Sequence, residues 1–260
     1  KEQSAILKLV DKKLIKIPNC PGLQTYPDLH HCEELKPLIE KLKEYITGNF
    51  IIDKCWANHT DGEYGSHIYQ INNGPDYGKY LWVMGPIPWS AFDDRPQQEG
   101  HDEDWNKNIE PYTIAGGDQH YWRFYPNLSN FPKDFSIKKA LVGIYDVKRY
   151  KKEEALTLMN KVKKVMREKY QNDSYGVYYN EFPNEIDGKD LMVVSFYQNS
   201  GWLGRPKDFS IKFEEVFGKG AFDKFLKEWK SVTNGKQSEI WNFREDLSGV
   251  DGEMKSSKKQ

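Results

Sequence analysis

The sequence predicts a mixed α+β protein: two tandem β-α-β-β-α-β repeats packed sheet to sheet as an intramolecular α+β barrel. Matching residue pairs recur at a nearly constant offset along the chain, which indicates an internal duplication. The second half shows strand and helix periodicities in the order of that unit. The 260 residues are 38% hydrophobic and include 13 Phe, 16 Tyr and 8 Trp, enough apolar surface for a folded core.

The duplication is carried by short motifs that occur once in each half. Tyr64-Gly65 is repeated by Tyr175-Gly176, Gly78-Lys79 by Gly188-Lys189, and Arg95-Pro96 by Arg205-Pro206, at offsets of 110 or 111. The motifs near the end of each half match at an offset of 119, and a nine-residue insertion explains this larger offset. We therefore divide the chain into a first repeat with insertions at 1–130, a second repeat at 131–248 and a flexible tail at 249–260.

The second repeat has the clearer periodicity. Apolar residues from Ala155 to Met166 recur at helical spacing, and a second helical pattern from Phe213 to Trp229 is broken at Gly218 and Gly220. Runs of β-branched and aromatic residues predict strands at 140–147, 175–182, 191–197 and 239–245. This order is that of the split, ferredoxin-like unit.

The first repeat follows the same order with modifications. Apolar spacing predicts a strand at 5–9 and a helix with apolar residues from Leu35 to Ile46, which Pro37 requires to start at or just before that proline. Extra residues between Gly48 and Tyr64 add either a strand or a helical extension. The second helix, near 104–112, is short.

The duplicated topology resembles that of the dimeric α+β-barrel superfamily. This superfamily includes antibiotic-biosynthesis-monooxygenase-like proteins, stress-responsive barrel proteins and chlorite-dismutase-like haem proteins. A single ferredoxin-like unit leaves one sheet face bare, and two copies in one chain can bury both bare faces. The resemblance implies a monomer with internal pseudo-two-fold symmetry. It covers the whole chain as topology, but no active-site motif of the superfamily is present to assign residue roles.

Composition and motifs exclude several function classes. A formal net charge of −1 gives no global field for nucleic acid, and the ribonucleoprotein signature is missing. Charged residues interrupt every apolar run, so no membrane span is predicted. No phosphate loop, nucleophile elbow or zinc-peptidase motif occurs, and the histidine, cysteine and acidic clusters lack metal-site spacing, so no metal is predicted. No feature assigns a compartment.

All six histidines lie in the first half. Haem-binding tandem barrels ligate iron through a histidine of the C-terminal copy, so the resemblance disfavours haem, and no cofactor is predicted. On the repeat alignment His67 replaces Tyr178, and His120 replaces Glu239. Either histidine could serve as a general base on a pocket wall or be a structural residue, and either Arg123 or Arg95 is a candidate for steadying an oxyanion.

Aromatic and arginine side chains supply the candidate ligand-binding residues. Trp82 and Tyr178 are assigned to a cavity wall, and the repeated Arg95 and Arg205 either clamp a carboxylate or phosphate or form structural ion pairs. The leading hypothesis is a barrel with an aromatic-lined cavity that binds a small apolar or aromatic molecule. The alternatives are a cofactor-independent oxygenase or isomerase, and a structural or partner-binding protein without a pocket. The sequence does not decide whether the protein is an enzyme.

Overall fold

The computed structural model describes residues 66–93 except 86, positions 103 and 106, and residues 119–256. These residues belong to two compact units. The larger unit contains 69–77, 119–243 and 251–256, and the smaller contains 66–68, 78–93 and 244–250. Several elements predicted in the first repeat lie outside the described residues: the strand at 5–9, the helix at 35–46 and the segment 48–64. Near the helix predicted at 104–112, only positions 103 and 106 are described, and both are helical.

The described residues form a mixed α+β fold with a curled antiparallel sheet and three α-helices. In chain order the elements are β1 (Ser66–Ile71), β2 (Tyr80–Met84), β3 (Trp122–Phe124), β4 (Phe135–Ser136), β5 (Lys139–Val147), α1 (Lys152–Lys169), β6 (Ser174–Asn180), β7 (Leu191–Tyr197), α2 (Phe209–Phe217), α3 (Ala221–Val232), β8 (Thr233–Phe243) and β9 (Glu253–Met254).

The sheet of the larger unit has the strand order β1-β8-β5-β7-β6-β3, with antiparallel neighbours throughout. Four strands of the second half form its centre. β1 and β3, both from the first half, pair with the outer strands β8 and β6. Strands from the first half therefore cover both edges that the second half would otherwise expose to unwanted pairing.

The three helices pack on one face of the sheet because each carries an apolar stripe. Their shared core with β6 and β7 includes Met159, Val165, Phe213 and Phe225, all buried. Aromatic rings fill much of it, and Phe213 and Phe225 lie with centroids 4.9 Å apart. Burial of these side chains, rather than helix propensity alone, stabilises helices of this length.

The elements predicted in the second half are confirmed, and several of their boundaries move. β7 spans the predicted residues, and positive φ angles of 95° at Gly218 and 78° at Gly220 separate α2 from α3 where the break was predicted. β8 starts at Thr233 rather than at 239, because pairing with β5 overrides the low strand propensity of Asn234 and Gly235.

The stretch predicted as a tail contains ordered pairing. β9 pairs with β4, and the backbone N–H of Ile137 donates to the carbonyl of Gly252. Ser256 is buried, and its hydroxyl donates to the carbonyl of Phe131 at 3.2 Å. Backbone pairing at 251–256 was not apparent from periodicity, since a two-residue strand is too short to show alternation.

A bulge at the end of β5 is satisfied by a buried carboxylate. The register with β8 shifts between Asp146 and Val147, and Oδ2 of Asp190 accepts the Val147 backbone N–H at 2.7 Å. Burial raises the pKa of Asp190 above its usual value, although this hydrogen bond opposes the shift.

No helix among the described residues is long and apolar enough to cross a membrane.

We expect Asp190→Ala to lower the free energy of unfolding by about 1–3 kcal/mol, because the Val147 N–H would lose its acceptor in a buried position. Asp190→Asn keeps an acceptor oxygen and removes a buried charge, so its stability at neutral pH should lie close to wild type. Urea unfolding monitored by circular dichroism measures both variants. Equal losses for the two would contradict the assignment of Asp190 as the acceptor of the bulge.

Candidate functional site

Side-chain alternation divides the sheet into a helix face and a face turned away from the helices. Tyr175, Val177 and Tyr179 of β6 lie in the helix core, so Gly176 and Tyr178 between them point to the other side. The cross-strand register extends this second face over the neighbouring strands. We call it the concave face; it carries Tyr69, Phe124, Ala140, Val142, Ile144, Gly176, Tyr178, Met192, Val194, Phe196, Gln237, Glu239, Trp241 and Phe243.

Aromatic rings stand at both ends of the concave face. On the β1 and β8 side, the ring centroid of Tyr69 is 5.6 Å from that of Trp241 and 5.7 Å from that of Phe243. On the β3 and β6 side, Phe124 lies 5.3 Å from Tyr178. The central strands between these ends contribute aliphatic residues, among them Val142, Ile144, Met192 and Val194, all buried.

The curl of the sheet brings its two ends toward each other. β1 and β6 are four strand spacings apart, ~19 Å in a flat sheet. Burial raises the pKa of Tyr69 above its ordinary value, and the electrostatic effect of Tyr178 raises it further. The sheet is curled, and we interpret the face turned away from the helices as the inside of the curve.

One cross-strand row crosses the middle of this face. Glu239 is opposite Val142, Val142 is opposite Val194, and Val194 is opposite Gly176. The row thus begins with a carboxylate on β8, passes over two valines and ends at a glycine on β6. Its backbone ends lie three strand spacings apart, ~14 Å before curvature shortens the span.

Glu239 is a buried carboxylate with neutral donors. The residue is only 3% exposed. Its Oε2 atom accepts a hydrogen bond from the indole N–H of Trp241 at 2.6 Å, and its Oε1 atom accepts one from the amide N–H of Gln237 at 2.5 Å. In the described part of the chain, Glu239 has no ion pair with Lys, Arg or His. A carboxylate can accept about four hydrogen bonds, so this group retains capacity for further donors.

Gly176 determines where the ring of Tyr178 lies. A Cβ atom at Gly176 would come within 2.7 Å of Cε2 and 2.8 Å of the hydroxyl of Tyr178, so the phenol lies directly over the glycine. The Tyr178 hydroxyl consequently reaches the glycine end of the row. It has no hydrogen-bond partner among the described residues, and burial raises the pKa of Tyr178 to about 12. The phenol is neutral, and a donor, near pH 7.

Two of the three sequence-predicted catalytic candidates, His120 and Arg123, lie at the β3 end of the sheet. Nε2 of His120 is 3.0 Å from Oδ2 of Asp187. Burial acts to raise the pKa of Asp187, but hydrogen bonds, chiefly that from His120, lower it below the usual value. Arg123 forms a bidentate ion pair with Glu181, in which Nη2 of the arginine donates to Oε2 of the glutamate at 2.9 Å. This ion pair raises the pKa of Arg123 and lowers the pKa of Glu181. Alternation in β3 directs Arg123 away from the concave face.

The remaining predicted residues are dispersed. Arg205 pairs with Asp173, and its guanidinium carbon lies 4.0 Å from the ring centroid of Trp202, so both its charge and its planar face have partners within the protein. Trp82 lies on β2 in the smaller unit and is exposed, and His67 is half-buried in β1. Arg95 lies outside the described residues. Of the predicted set, Tyr178 lies on the concave face of the larger unit.

Three polar or small residues of the concave face were missed as site residues. The repeat alignment pairs Glu239 with His120, but only the spacing of two between Glu239 and Trp241 predicts that the carboxylate shares a face with that indole. Gln237 lay outside the predicted strand. Gly176 appeared only as a repeat marker, and nothing in the sequence shows that a tyrosine ring covers it. Within the described ranges, no group of three or more His, Cys, Asp or Glu residues could hold a metal ion.

Comparison with known proteins gives structural likenesses alone. No family model matches the chain, and no curated protein matches it. It is similar to a "putative monooxygenase" from Lactobacillus acidophilus NCFM, with 12% identity, a TM-score of 0.47 and coverage of 83% of this chain and 92% of the other. A protein of the same description from Fusobacterium nucleatum gives 12% identity, a TM-score of 0.46 and coverage of 86% and 91%. An anthrone oxidase-like protein gives 10% identity, a TM-score of 0.40 and coverage of 78% of this chain and 86% of the other.

We expect Gly176→Ala to lower the free energy of unfolding by about 1–3 kcal/mol, because the new methyl group overlaps the Tyr178 ring. In a Tyr178→Ala background the ring is absent, and the same substitution should cost less than about 0.5 kcal/mol. Urea unfolding of the four proteins of this double-mutant cycle measures the difference. A cost that is the same in both backgrounds would show that the ring does not lie over Gly176.

Proposed function

We propose that the concave face binds a small, largely apolar or aromatic molecule along the row from Glu239 to Tyr178. The observation that carries the proposal is the placement of two hydrogen-bonding groups with remaining capacity at opposite ends of an otherwise apolar row. The aliphatic centre and the aromatic ends provide a surface for a flat apolar body. The polar groups would then fix its orientation.

The two polar groups differ in what they can recognise. The Glu239 carboxylate only accepts hydrogen bonds when ionised, so it selects a hydroxyl or N–H at one end of the ligand. The neutral Tyr178 phenol can donate, so it suits a carbonyl or ether oxygen at the other end. A molecule that leaves the carboxylate without a further donor would bind less well, because no cation of the described chain compensates this buried charge.

The finer description of the fold belongs to the same proposal. We interpret the chain as two ferredoxin-like repeats, 1–130 and 131–248, in a monomer with pseudo-two-fold symmetry. The strand order β8-β5-β7-β6 of the second half and its edge pairing with β1 and β3 support this interpretation. In such an arrangement the concave face would lie inside a barrel, where a small molecule is shielded from water.

Naphthol provides a direct probe, because it joins a flat aromatic body to one hydroxyl donor. We expect saturable binding by calorimetry, weakened about tenfold or more by Glu239→Gln, since a hydrogen bond to a charged acceptor is lost. Naphthalene, which lacks the hydroxyl, should show no such dependence on Glu239. Tyr179→Phe is the matched control, because Tyr179 is the neighbouring residue in β6 but faces the helices.

Native mass spectra of the purified protein complement this titration by testing for a molecule retained from the source. Equal naphthol affinity in wild type and Glu239→Gln would contradict the proposed orientation. No binding of naphthol or naphthalene, together with a bare chain of 30.5 kDa, would favour the structural or partner-binding alternative.

A second candidate function is a cofactor-independent isomerase or oxygenase that uses the same row. The Glu239 carboxylate could take a proton from a carbon next to a carbonyl group, and the neutral Tyr178 phenol could donate a hydrogen bond to the resulting enolate oxygen. Return of the proton to another carbon completes an isomerisation, whereas dioxygen would be the co-reactant of an oxygenase. His67, His120 and Arg123 stay candidates for the base and the oxyanion contact.

Tetralone, a bicyclic ketone with acidic C–H bonds, tests this chemistry through exchange with deuterated water. We expect the wild-type protein to accelerate deuterium uptake, Glu239→Gln to abolish the acceleration, and Tyr178→Phe to reduce it about tenfold to a hundredfold. Tyr179→Phe should leave it unchanged. If His67→Gln or His120→Gln abolishes exchange while Glu239→Gln retains it, the base is a histidine and the assignment to Glu239 is wrong.

A further inference from the structure

A groove lies on the helix side of the sheet, where α3 turns into β8. It has a volume of about 590 Å³ and is lined by Tyr145, Trp229, Lys148, Lys230 and Lys236, with the backbone and polar side chains of 233–235 at its end. Its size is within the range of small-molecule sites in proteins. None of the residues assigned to the concave face lines this groove.

One wall of the groove is aromatic. The rings of Tyr145 and Trp229 are 5.1 Å apart between centroids and perpendicular, with an interplanar angle of 89°. The edge-to-face contact holds Tyr145 against the helix, and burial raises its pKa to about 12, so the ring carries no charge at neutral pH. The two perpendicular rings therefore form an uncharged aromatic corner.

The remaining walls carry three lysine ammonium groups. Nζ of Lys236 lies 5.3 Å from the ring centroid of Tyr145, and its side chain covers Gly143, where an added Cβ would approach Cε to 2.7 Å. Nζ of Lys148 donates to the backbone carbonyl of Lys230 at 3.1 Å. In the described part of the chain, none of the three lysines has a carboxylate partner.

The local charges favour an anion over a cation. Burial lowers the pKa of Lys236, as expected for an ammonium group that is partly desolvated without a counter-ion. Asp146 and Glu228 each lie two residues from one of these lysines, but Asp146 accepts a hydrogen bond from the Asn234 amide at 2.9 Å and Glu228 pairs with Lys161. A bound anionic group would supply the missing counter-charge.

We propose that this groove binds a small organic anion with a flat aromatic body, such as an aromatic carboxylate or sulfonate. The aromatic body packs against Tyr145 and Trp229, and the anionic group is held by Lys236 with Lys148 and Lys230. This site is separate from the concave face, because Lys236 and Gln237 are consecutive residues of β8 and point to opposite faces. One strand thus serves two ligands of different charge.

Anilinonaphthalene sulfonate tests the site, with phenylnaphthylamine as the uncharged analogue and hexanesulfonate as the non-aromatic one. Calorimetry should show saturable sulfonate binding that weakens at high salt and falls about tenfold in Lys236→Met, because one of three cationic contacts is lost. Lys148→Met should weaken it in the same direction. Lys227→Met, which removes an exposed lysine of α3 outside the groove, should leave the affinity unchanged.

The controls separate this site from the concave face and from general dye binding. Glu239→Gln should not alter sulfonate affinity, whatever its effect on naphthol. Failure of the wild-type protein to bind the aromatic sulfonate at millimolar concentration would overturn the proposal. So would equal affinity for the uncharged analogue or for hexanesulfonate, or unchanged affinity in the folded Lys236→Met and Lys148→Met variants.

Discussion

The paired register of β5 fixes which side chains face the helices and which face the concave side. This strand is hydrogen-bonded to β7 on one side and to β8 on the other, with residues 140–145 paired on both. A shift of one residue would exchange the two faces, moving Val142 toward the helices and Tyr145 toward the concave side. The helix core, the row from Glu239 to Gly176 and the lysine groove all depend on this one register.

The same register places the two proposed binding surfaces, which differ in chemistry, on opposite sides of β8. Glu239 and Gln237 belong to the concave face, where the surroundings are aromatic and aliphatic. Lys236 directly precedes Gln237 in sequence and joins Lys148 and Trp229 on the other side. The Lys236 ammonium group and the Glu239 carboxylate, three residues apart on β8, lie on opposite sides of the sheet. We therefore propose that each side recognises its own class of molecule.

The sequence predicted the elements of the second half because their periodicity is strong and their core is apolar. It did not predict the site equally well. Tyr178 was chosen as an aromatic strand residue, but the constraint on its ring comes from Gly176, a close approach that no periodicity shows. Glu239 was missed because a single acidic residue near a strand end is typically exposed. Its burial follows from the early start of β8 at Thr233, which pairing with β5 imposes.

Methyl NMR of protein labelled at methionine tests the central claim most directly, since the claim is that a small molecule lies on the concave face. Met192 belongs to that face, and Met159 lies in the helix core on the other side of the sheet. Addition of naphthol should shift the Met192 methyl resonance in a saturable manner and leave that of Met159 in place. A shift of Met159 with no change at Met192, or no shift of either during binding, would contradict the account.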